Sequence, residues 1–196
     1  QAKLDAEALQ LIAAMPLDGA APYSLHKIER ITHRNQRWDL FIPPSLKLLT
    51  FDVPNEYKIE LQAKLSIAYH HQGDDSNAIH YAGIALDEVD RLGIKNAQNI
   101  LYILTQSWAL KGLHNQACAA FQKYAHVNRS LGLSLHEADI WIKSNEIGKY
   151  DHALSIVLRA FEHHDAQYDD KIFMAALSVL NELNNAEAFK TENEAK

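Results

Sequence analysis

Four cations between positions 27 and 37 are the residues of this sequence that most clearly suggest binding chemistry. They are Lys27, Arg30, Arg34 and Arg37. Successive members are three, four and three residues apart, so a helix would place them on one face. Guanidinium groups bind carboxylates through strong, charge-assisted hydrogen bonds. The stripe, with two histidines close by, predicts a surface for an acidic segment, and an ordinary solvated helix face is the alternative.

The sequence contains eleven histidines, and two adjacent pairs suggest a metal site. These pairs are His70–His71 and His163–His164. Neighbouring residues on a helix point about 100° apart, whereas a helical zinc site needs histidines four residues apart together with a carboxylate. No His-x-x-x-His occurs. We therefore predict no metal and no cofactor, and histidine titration would make binding sensitive to pH between about 5 and 7.

Sequence motifs of catalysis are missing. There is no G-x-S-x-G elbow, no glycine-rich phosphate loop and no supported Cys–His pair. The doublets Asp74–Asp75 and Asp169–Asp170 fit turns or helix starts, where carboxylates interact favourably with the helix dipole. Cys118 lies in an alanine-rich run and is predicted to be a buried, inert thiol. The sequence predicts a protein that is not an enzyme.

The composition of the chain narrows its fold class and the kinds of partner it could bind. Hydrophobic residues make up 47% of the 196, with only 7 Gly and 5 Pro, and alternating β-branched runs are few, so we predict an all-α chain. The formal charge of -6 argues against general nucleic-acid binding. No apolar run approaches the about 20 residues of a membrane span, and no signal peptide is visible. A cytoplasmic location is favoured over a periplasmic or exported one, with the compartment otherwise open.

The elements that would position these residues come from an internal repeat. Around Gly73 a helical pattern stops, two aspartates follow, and a second helical pattern carries small residues such as Ala78. The same arrangement recurs around Gly112, 39 residues after Gly73, and around Gly148, 36 residues after Gly112. Small side chains allow two antiparallel helices to pack closely. Two weaker copies flank these three.

The residues at matched places resemble the tetratricopeptide repeat (TPR). The resemblance is carried by Ala68–Tyr69, Gln72–Gly73–Asp74, Ala78–Ile79, Tyr81 and Ala85–Leu86. It implies a right-handed α-solenoid of antiparallel helix pairs, with about five degenerate repeats in a single array over residues 1–190. The expected segments are a capping or half-repeat helix at 1–16, helix pairs at 22–51, 57–92, 96–131, 134–164 and 169–190, and a frayed tail at 191–196.

Local signals predict where several helices start and stop. Ser24 is expected to cap the first helix of the first pair. Pro43 and Pro44 are expected in the first turn or so of its second helix. Gly93 and Gly132 are expected as left-handed caps at the ends of long second helices.

In TPR proteins the first helices of successive pairs line a concave groove, which usually takes an extended peptide or a helix. Carried over position by position, the resemblance predicts binding at Tyr23, His26, Arg30, His33, Arg34, Ile67, His70, His71, Asn99, Tyr102, Gln106 and Leu110. The groove would be basic and histidine-rich at its N-terminal end and amide-rich and aromatic in the middle. We expect Arg30, His33 and Arg34 to contact acidic groups. Tyr102 and Asn99 would contact peptide backbone or an aromatic side chain, and Ile67 and Leu110 apolar side chains.

These expectations define two hypotheses about function. The first is a non-enzymatic protein–protein interaction module that binds a peptide or protein segment, with a homodimer left open and no nucleic-acid partner expected. The second is a regulatory input domain of a larger signalling or transcription-regulator protein, which would bind a peptide or small signal. The second hypothesis depends on Arg91–Leu92–Gly93 and Ser130–Leu131–Gly132, because long second helices ending this way are common in bacterial sensor arrays.

Overall fold

A computed structural model of the chain describes residues 2–88 and 97–163 and the isolated positions 177, 180, 181, 184 and 185, with backbone alone at 2–4 and 161–163. The described ranges contain helices and no strand. The helices are α1 (Ala2–Ala14), α2 (Pro22–Arg34), α3 (Trp38–Leu49), α4 (Asn55–His71), α5 (Asp75–Asp87), α6 (Ala97–Leu110), α7 (His114–Lys123), α8 (Leu131–Lys143) and α9 (Lys149–His163). They fall into two compact units, residues 1–95 and 96–196.

In the first unit, helices α2 to α5 pack in chain order, each against the next. Fully buried side chains from three of them form the core, including Leu25 of α2, Phe41 of α3 and Leu61 of α4. The small Ala78 and Ala82 of α5 are also fully buried. Their lack of bulk lets α5 approach α4 closely, as the repeat pattern predicted.

In the second unit, α6 packs on α7, α7 on α8 and α8 on α9. Its buried side chains include Leu104, Phe121 and Ile140. Ala117 of α7 and Ala153 of α9 are fully buried, and they are the places matched to Ala78. The small-residue positions therefore serve the same packing role in both units.

The predicted turns at the three glycines are confirmed. Gly73, Gly112 and Gly148 have φ of 74°, 73° and 73°, in the left-handed region where a side chain is disfavoured. After Gly73, the Asp74 amide donates to the Tyr69 carbonyl at 2.9 Å. Such bonds satisfy carbonyls at the end of the first helix.

The first helix pair makes the same turn without a glycine. Gln36 has φ of 53°, and the Arg37 amide donates to the Thr32 carbonyl at 3.0 Å. Gln36 therefore takes the place that a glycine has in the other three turns. The residue seven positions before this place is Glu29 in the first pair, and Ser66, Thr105 and Trp141 in the next three. The first three are fully buried and Trp141 is 6% exposed. This place is therefore at the helix interface in all four described pairs.

Two predictions about helix starts were wrong, as was one about a helix end. Helix α2 begins at Pro22 with Ala21 as N-cap, because the fixed φ of proline suits the first helical position, so Ser24 lies inside the first turn. Helix α3 begins at Trp38, which places Pro43 and Pro44 beyond its first turn.

Gly132 does not end a second helix. Helix α7 stops at Lys123, and Gly132 lies in the first turn of α8. The Ser130 hydroxyl accepts a hydrogen bond from the Leu133 amide and caps α8, while Arg129 donates to the Phe121 carbonyl in the last turn of α7. The expected cap at Gly93 lies outside the described residues, as does most of the fifth pair at 169–190.

Candidate functional site

A pocket of about 390 Å³ opens on the first unit beside α2 and α4. It is lined by Lys27, Glu29, Arg30, Ile31, His33, Arg34 and Lys64, and we call it the basic pocket. Six of these residues come from α2, because positions three and four apart share one face of a helix. The predicted site residues Arg30, His33 and Arg34 are thus brought together around one cavity.

The floor of the basic pocket is a buried carboxylate. Glu29 is fully buried, and its Oε1 lies 3.1 Å from Nζ of Lys64 on α4. The Tyr57 hydroxyl donates to Glu29 Oε2 at 3.4 Å and lies 2.8 Å from His26 Nδ1. A buried charge is tolerated when it is paired and hydrogen-bonded, so this network explains how α2 can bury an acid. His26, predicted as a groove residue, is part of the network.

Lys64 is shared between two carboxylates, with Glu60 Oε1 at 2.9 Å on the other side. Burial acts to lower the pKa of the Lys64 ammonium, but Glu60 and Glu29 outweigh it and the pKa is raised. Lys64 is therefore committed to its internal partners, and its charge is not available to a ligand.

The outer rim of the pocket carries the cations that face solvent. Arg30 is exposed and makes no ion pair within the described part of the chain. Lys27 lies over the ring of Tyr23, with Nζ 4.4 Å from its centroid, and Tyr23 itself is 68% exposed. These groups are available to a ligand.

Arg34 already binds a carboxylate. Its Nη2 lies 2.7 Å from Oδ1 of Asp5 on α1, and the two side chains are 55% and 22% exposed. Arg37, assigned by spacing to the same face, is instead the N-cap of α3. Its guanidinium forms two hydrogen bonds to Asp39, at 2.9 and 2.7 Å. Arg37 is therefore not part of the α2 stripe, because α2 ends at Arg34 and the turn at Gln36 redirects the chain.

His33, which lines the pocket, belongs to a cluster of aromatic rings. His33 meets the edge of Trp38, with ring centroids 5.7 Å apart, and Trp38 stacks flat on His71 at 5.1 Å. Burial, and secondarily the charge of Lys64, lowers the pKa of His33. The imidazole is therefore neutral near pH 7 and contributes packing there more than charge.

The other predicted residues of α4 are His70 and Ile67. His70 is partly buried, with Nδ1 3.8 Å from Asp75 Oδ1, and its pKa is lowered, chiefly by burial. Ile67 is also partly buried. Neither residue lines the basic pocket.

The predicted residues of the second unit form a separate stripe along α6. Asn99 is exposed, Tyr102 is 42% exposed, Gln106 is partly buried and Leu110 is 62% exposed. The Tyr102 ring contacts that of His136 on α8, with centroids 4.6 Å apart. This stripe, which we call the α6 stripe, offers amide, aromatic and apolar groups.

Sequence reasoning missed four residues that shape the basic pocket: Asp5, Glu29, Tyr57 and Lys64. The sequence contained one indication of this network, at Glu29. Glu29 stands at the place matched to Ser66 and Thr105 in the next two pairs, and a charged residue at that buried place requires a partner. The identity of that partner depends on the packing of α2 against α4.

The cations of the basic pocket can form charge-assisted hydrogen bonds with anionic groups. Cationic side chains surround a cavity large enough for a few side chains of a bound segment, and two of them, Lys27 and Arg30, make no ion pair among the described residues. Across the described ranges, no group of three or more His, Cys, Asp or Glu side chains could hold a metal ion. Nor do those ranges contain a helix long and apolar enough to cross a bilayer.

The helices in series, with their repeated turns and buried small residues, define a helical-repeat protein with the TPR-like solenoid fold. The crystal structure of a Podospora anserina kinesin light chain with nearly identical TPR-like repeats superimposes with a TM-score of 0.54. That comparison covers 87% of this chain and 98% of the other at 12% sequence identity, so it shows the fold. No protein-family model and no curated protein matches the sequence. The prediction of an all-α, TPR-like fold is confirmed.

Proposed function

We propose that this chain is a non-enzymatic protein-interaction scaffold whose basic pocket binds an acidic segment of a protein partner. The observation that carries the proposal is the rim of the pocket on α2. There Arg34 holds a carboxylate at 2.7 Å, and Arg30, one helical turn away, faces solvent without an ion pair in the described residues. A guanidinium that binds one carboxylate beside a second that is unoccupied fits a ligand bearing more than one acidic group.

The fold supports the same class of function. TPR-like solenoids typically act as protein–protein interaction scaffolds, because stacked helix pairs present an extended surface. The electrostatics favour an acidic ligand locally, although the whole chain carries a formal charge of -6. The contrast makes the pocket a local positive feature, which selects and orients acidic partners.

Further contacts would come from groups outside the pocket. We assign Ile67 to apolar side chains of the partner, and His70 and His71 to the border of the pocket. On the α6 stripe, Asn99 and Gln106 would bind peptide backbone, Tyr102 an aromatic or backbone group, and Leu110 an apolar side chain. Tyr23, which is the most exposed of the predicted aromatic residues, would extend the contact at the start of α2.

The test is a charge reversal at Arg30. A fluorescein-labelled peptide rich in glutamate is titrated with the protein at low salt, and binding is followed by fluorescence anisotropy. Arg30→Glu should weaken binding by about tenfold or more, since a charge-assisted contact is replaced by repulsion. Because Arg30 has no internal ion partner in the described residues, the substitution should leave the fold unchanged, which circular dichroism checks.

Two matched controls accompany this titration. Arg159→Glu makes the same substitution at an exposed arginine of the second unit, on α9 and away from the α6 stripe, and should have little effect. A peptide with glutamine in place of glutamate should bind weakly to every variant. Equal affinity of wild type and Arg30→Glu for the glutamate peptide would remove the basic pocket from the binding surface.

The regulatory input domain is not favoured by any observation. Of the two segments on which that hypothesis rested, 91–93 lies outside the described residues. The other, Ser130–Leu131–Gly132, starts α8 and does not end a long second helix.

A further inference from the structure

The contact between Asp5 and Arg34 places an acidic side chain of the chain's own N-terminal helix on a cation of the basic pocket. Asp5 Oδ1 accepts a hydrogen bond from Arg34 Nη2 at 2.7 Å. This is the geometry that an acidic residue of a partner would adopt on the same guanidinium. Asp5 therefore occupies a subsite of the pocket.

Helix α1 is held lightly over most of its length. From Asp5 to Ala14, no side chain is buried, and Leu11 is 73% exposed. A helix with so little burial has a low free energy of local opening. The Asp5–Arg34 pair is partly exposed, and exposed pairs are weak and exchangeable.

The chain after α1 is, by contrast, anchored. Leu17 packs against the core of the first unit, and its carbonyl accepts a hydrogen bond from Lys47 Nζ at 2.5 Å. Pro16 precedes this anchor, and Gly19, with φ of 75°, follows it. The N-terminal end of α1 can thus leave Arg34 while residue 17 stays in place.

We propose that Asp5 is an internal competitor for the acidic partner, and that a carboxylate of the partner replaces it on Arg34. Binding then frees the N-terminal end of α1, and the affinity of the pocket is set partly by this exchange. The inference rests on the proposed function, since it concerns the same pocket, and it adds a regulatory contact to it.

The first test compares two neutralised carboxylates on the same helix. Asp5→Asn removes the competitor and should tighten binding of the glutamate-rich peptide by about two- to fivefold, the range expected from an exposed ion pair. Glu7→Gln makes the same change of charge two residues away, at an exposed side chain with no ion pair among the described residues. Glu7→Gln should change the affinity less than Asp5→Asn does, because a carboxylate without a direct contact acts only through long-range electrostatics, which salt screens.

The second test measures the release of α1 directly by amide hydrogen exchange. In the wild-type protein, adding the peptide should speed exchange in α1, whereas in Asp5→Asn that exchange should already be fast without peptide. Peptide binding with equal affinities for Asp5→Asn and Glu7→Gln, and with unchanged exchange in α1, would overturn the competitor role and leave the proposed function intact. Failure of the peptide to discriminate wild type from Arg30→Glu would overturn the proposed function and this inference together.

Discussion

Glu29 of α2 and Lys64 of α4 form a salt bridge between successive helix pairs, with 3.1 Å between Oε1 and Nζ. The Glu29 side chain has no exposed surface, and that of Lys64 is 21% exposed. Removing one member of such a pair leaves a buried charge without its partner, which is more costly than removing both.

Lys64→Met should therefore lower the free energy of unfolding by about 3 kcal/mol. Adding Glu29→Met to it should recover much of that loss, because the uncompensated carboxylate is gone. Urea denaturation followed by circular dichroism measures both. Lys143→Met is the control, since it breaks the exposed pair with Asp139, worth no more than about 1 kcal/mol. A double variant as unstable as Lys64→Met would contradict the interpretation.

Stability should depend on pH through His136. Its ring packs between Tyr102 and Phe121, with Nε2 3.2 Å from the Thr105 hydroxyl, and burial lowers its pKa to about 4. The unfolded chain has the ordinary value of about 6.5. As the pH falls, the unfolded state binds the proton before the folded state does. The contribution of His136 to stability is therefore fully present above pH 6.5 and is lost as the pH falls toward 4.

Between pH 7 and pH 5, His136 should account for a loss of about 2 kcal/mol. Denaturant titrations at the two pH values, on wild type and on His136→Gln, measure this contribution as a difference. The variant should lose less stability on acidification, and an equal loss would show that other groups dominate. Wild type must be compared with His136→Gln because burial also lowers the pKa of His33 and His152, whose contributions to stability are lost over the same pH range.

Two glycines should respond oppositely to alanine. Gly73 has φ of 74° in the turn between α4 and α5, whereas Gly83 lies inside α5, and a Cβ at either would meet nothing within 4 Å. Gly73→Ala should destabilise by about 1 kcal/mol, the cost of a side chain in the left-handed region. Gly83→Ala should stabilise by about 0.5–1 kcal/mol through helix propensity. Thermal melts of the two variants measure the contrast, and effects of the same sign would refute it.

The thiol of Cys118 should be unreactive in the native protein. It is 2% exposed, and burial raises its pKa to about 11, so little thiolate forms at about pH 8. Iodoacetamide labelling, followed by mass spectrometry, should be slow until urea opens the second unit. Labelling of the native chain at the rate of the denatured one would mean that the helices around Cys118 open readily.

The repeat explains why so much of the fold could be predicted. Gly73, Gly112 and Gly148 mark turns whose backbone disfavours other residues, so their spacing fixed three helix pairs before any contact was known. Helix ends were less predictable. Helix α2 begins at Pro22, although Ser24 was expected as its N-cap, and α8 begins at Leu131, although its pair was expected from residue 134, because local capping decides where a helix begins.

The candidate site was predictable only in part. Spacing alone put Arg30 and Arg34 on one face, since that depends on helix geometry. The burial of Glu29 and the pairing of Arg34 with Asp5 could not be inferred, because each joins residues 29 to 35 positions apart on helices whose relative placement the sequence does not encode locally. Arg37 illustrates the limit: a single turn at Gln36 moved it from the stripe to another helix.

The residue seven positions before each turn also makes the repeats mutually non-interchangeable. Glu29, Ser66, Thr105 and Trp141 demand different neighbours, and of the four described pairs only the first is followed by a lysine that meets a buried acid at this place. If a helix pair docked one repeat out of register, that acid would be buried without Lys64, or Trp141 would enter a space sized for a hydroxyl. Repeat proteins are prone to such misassembly, and the variation at this one place selects against it.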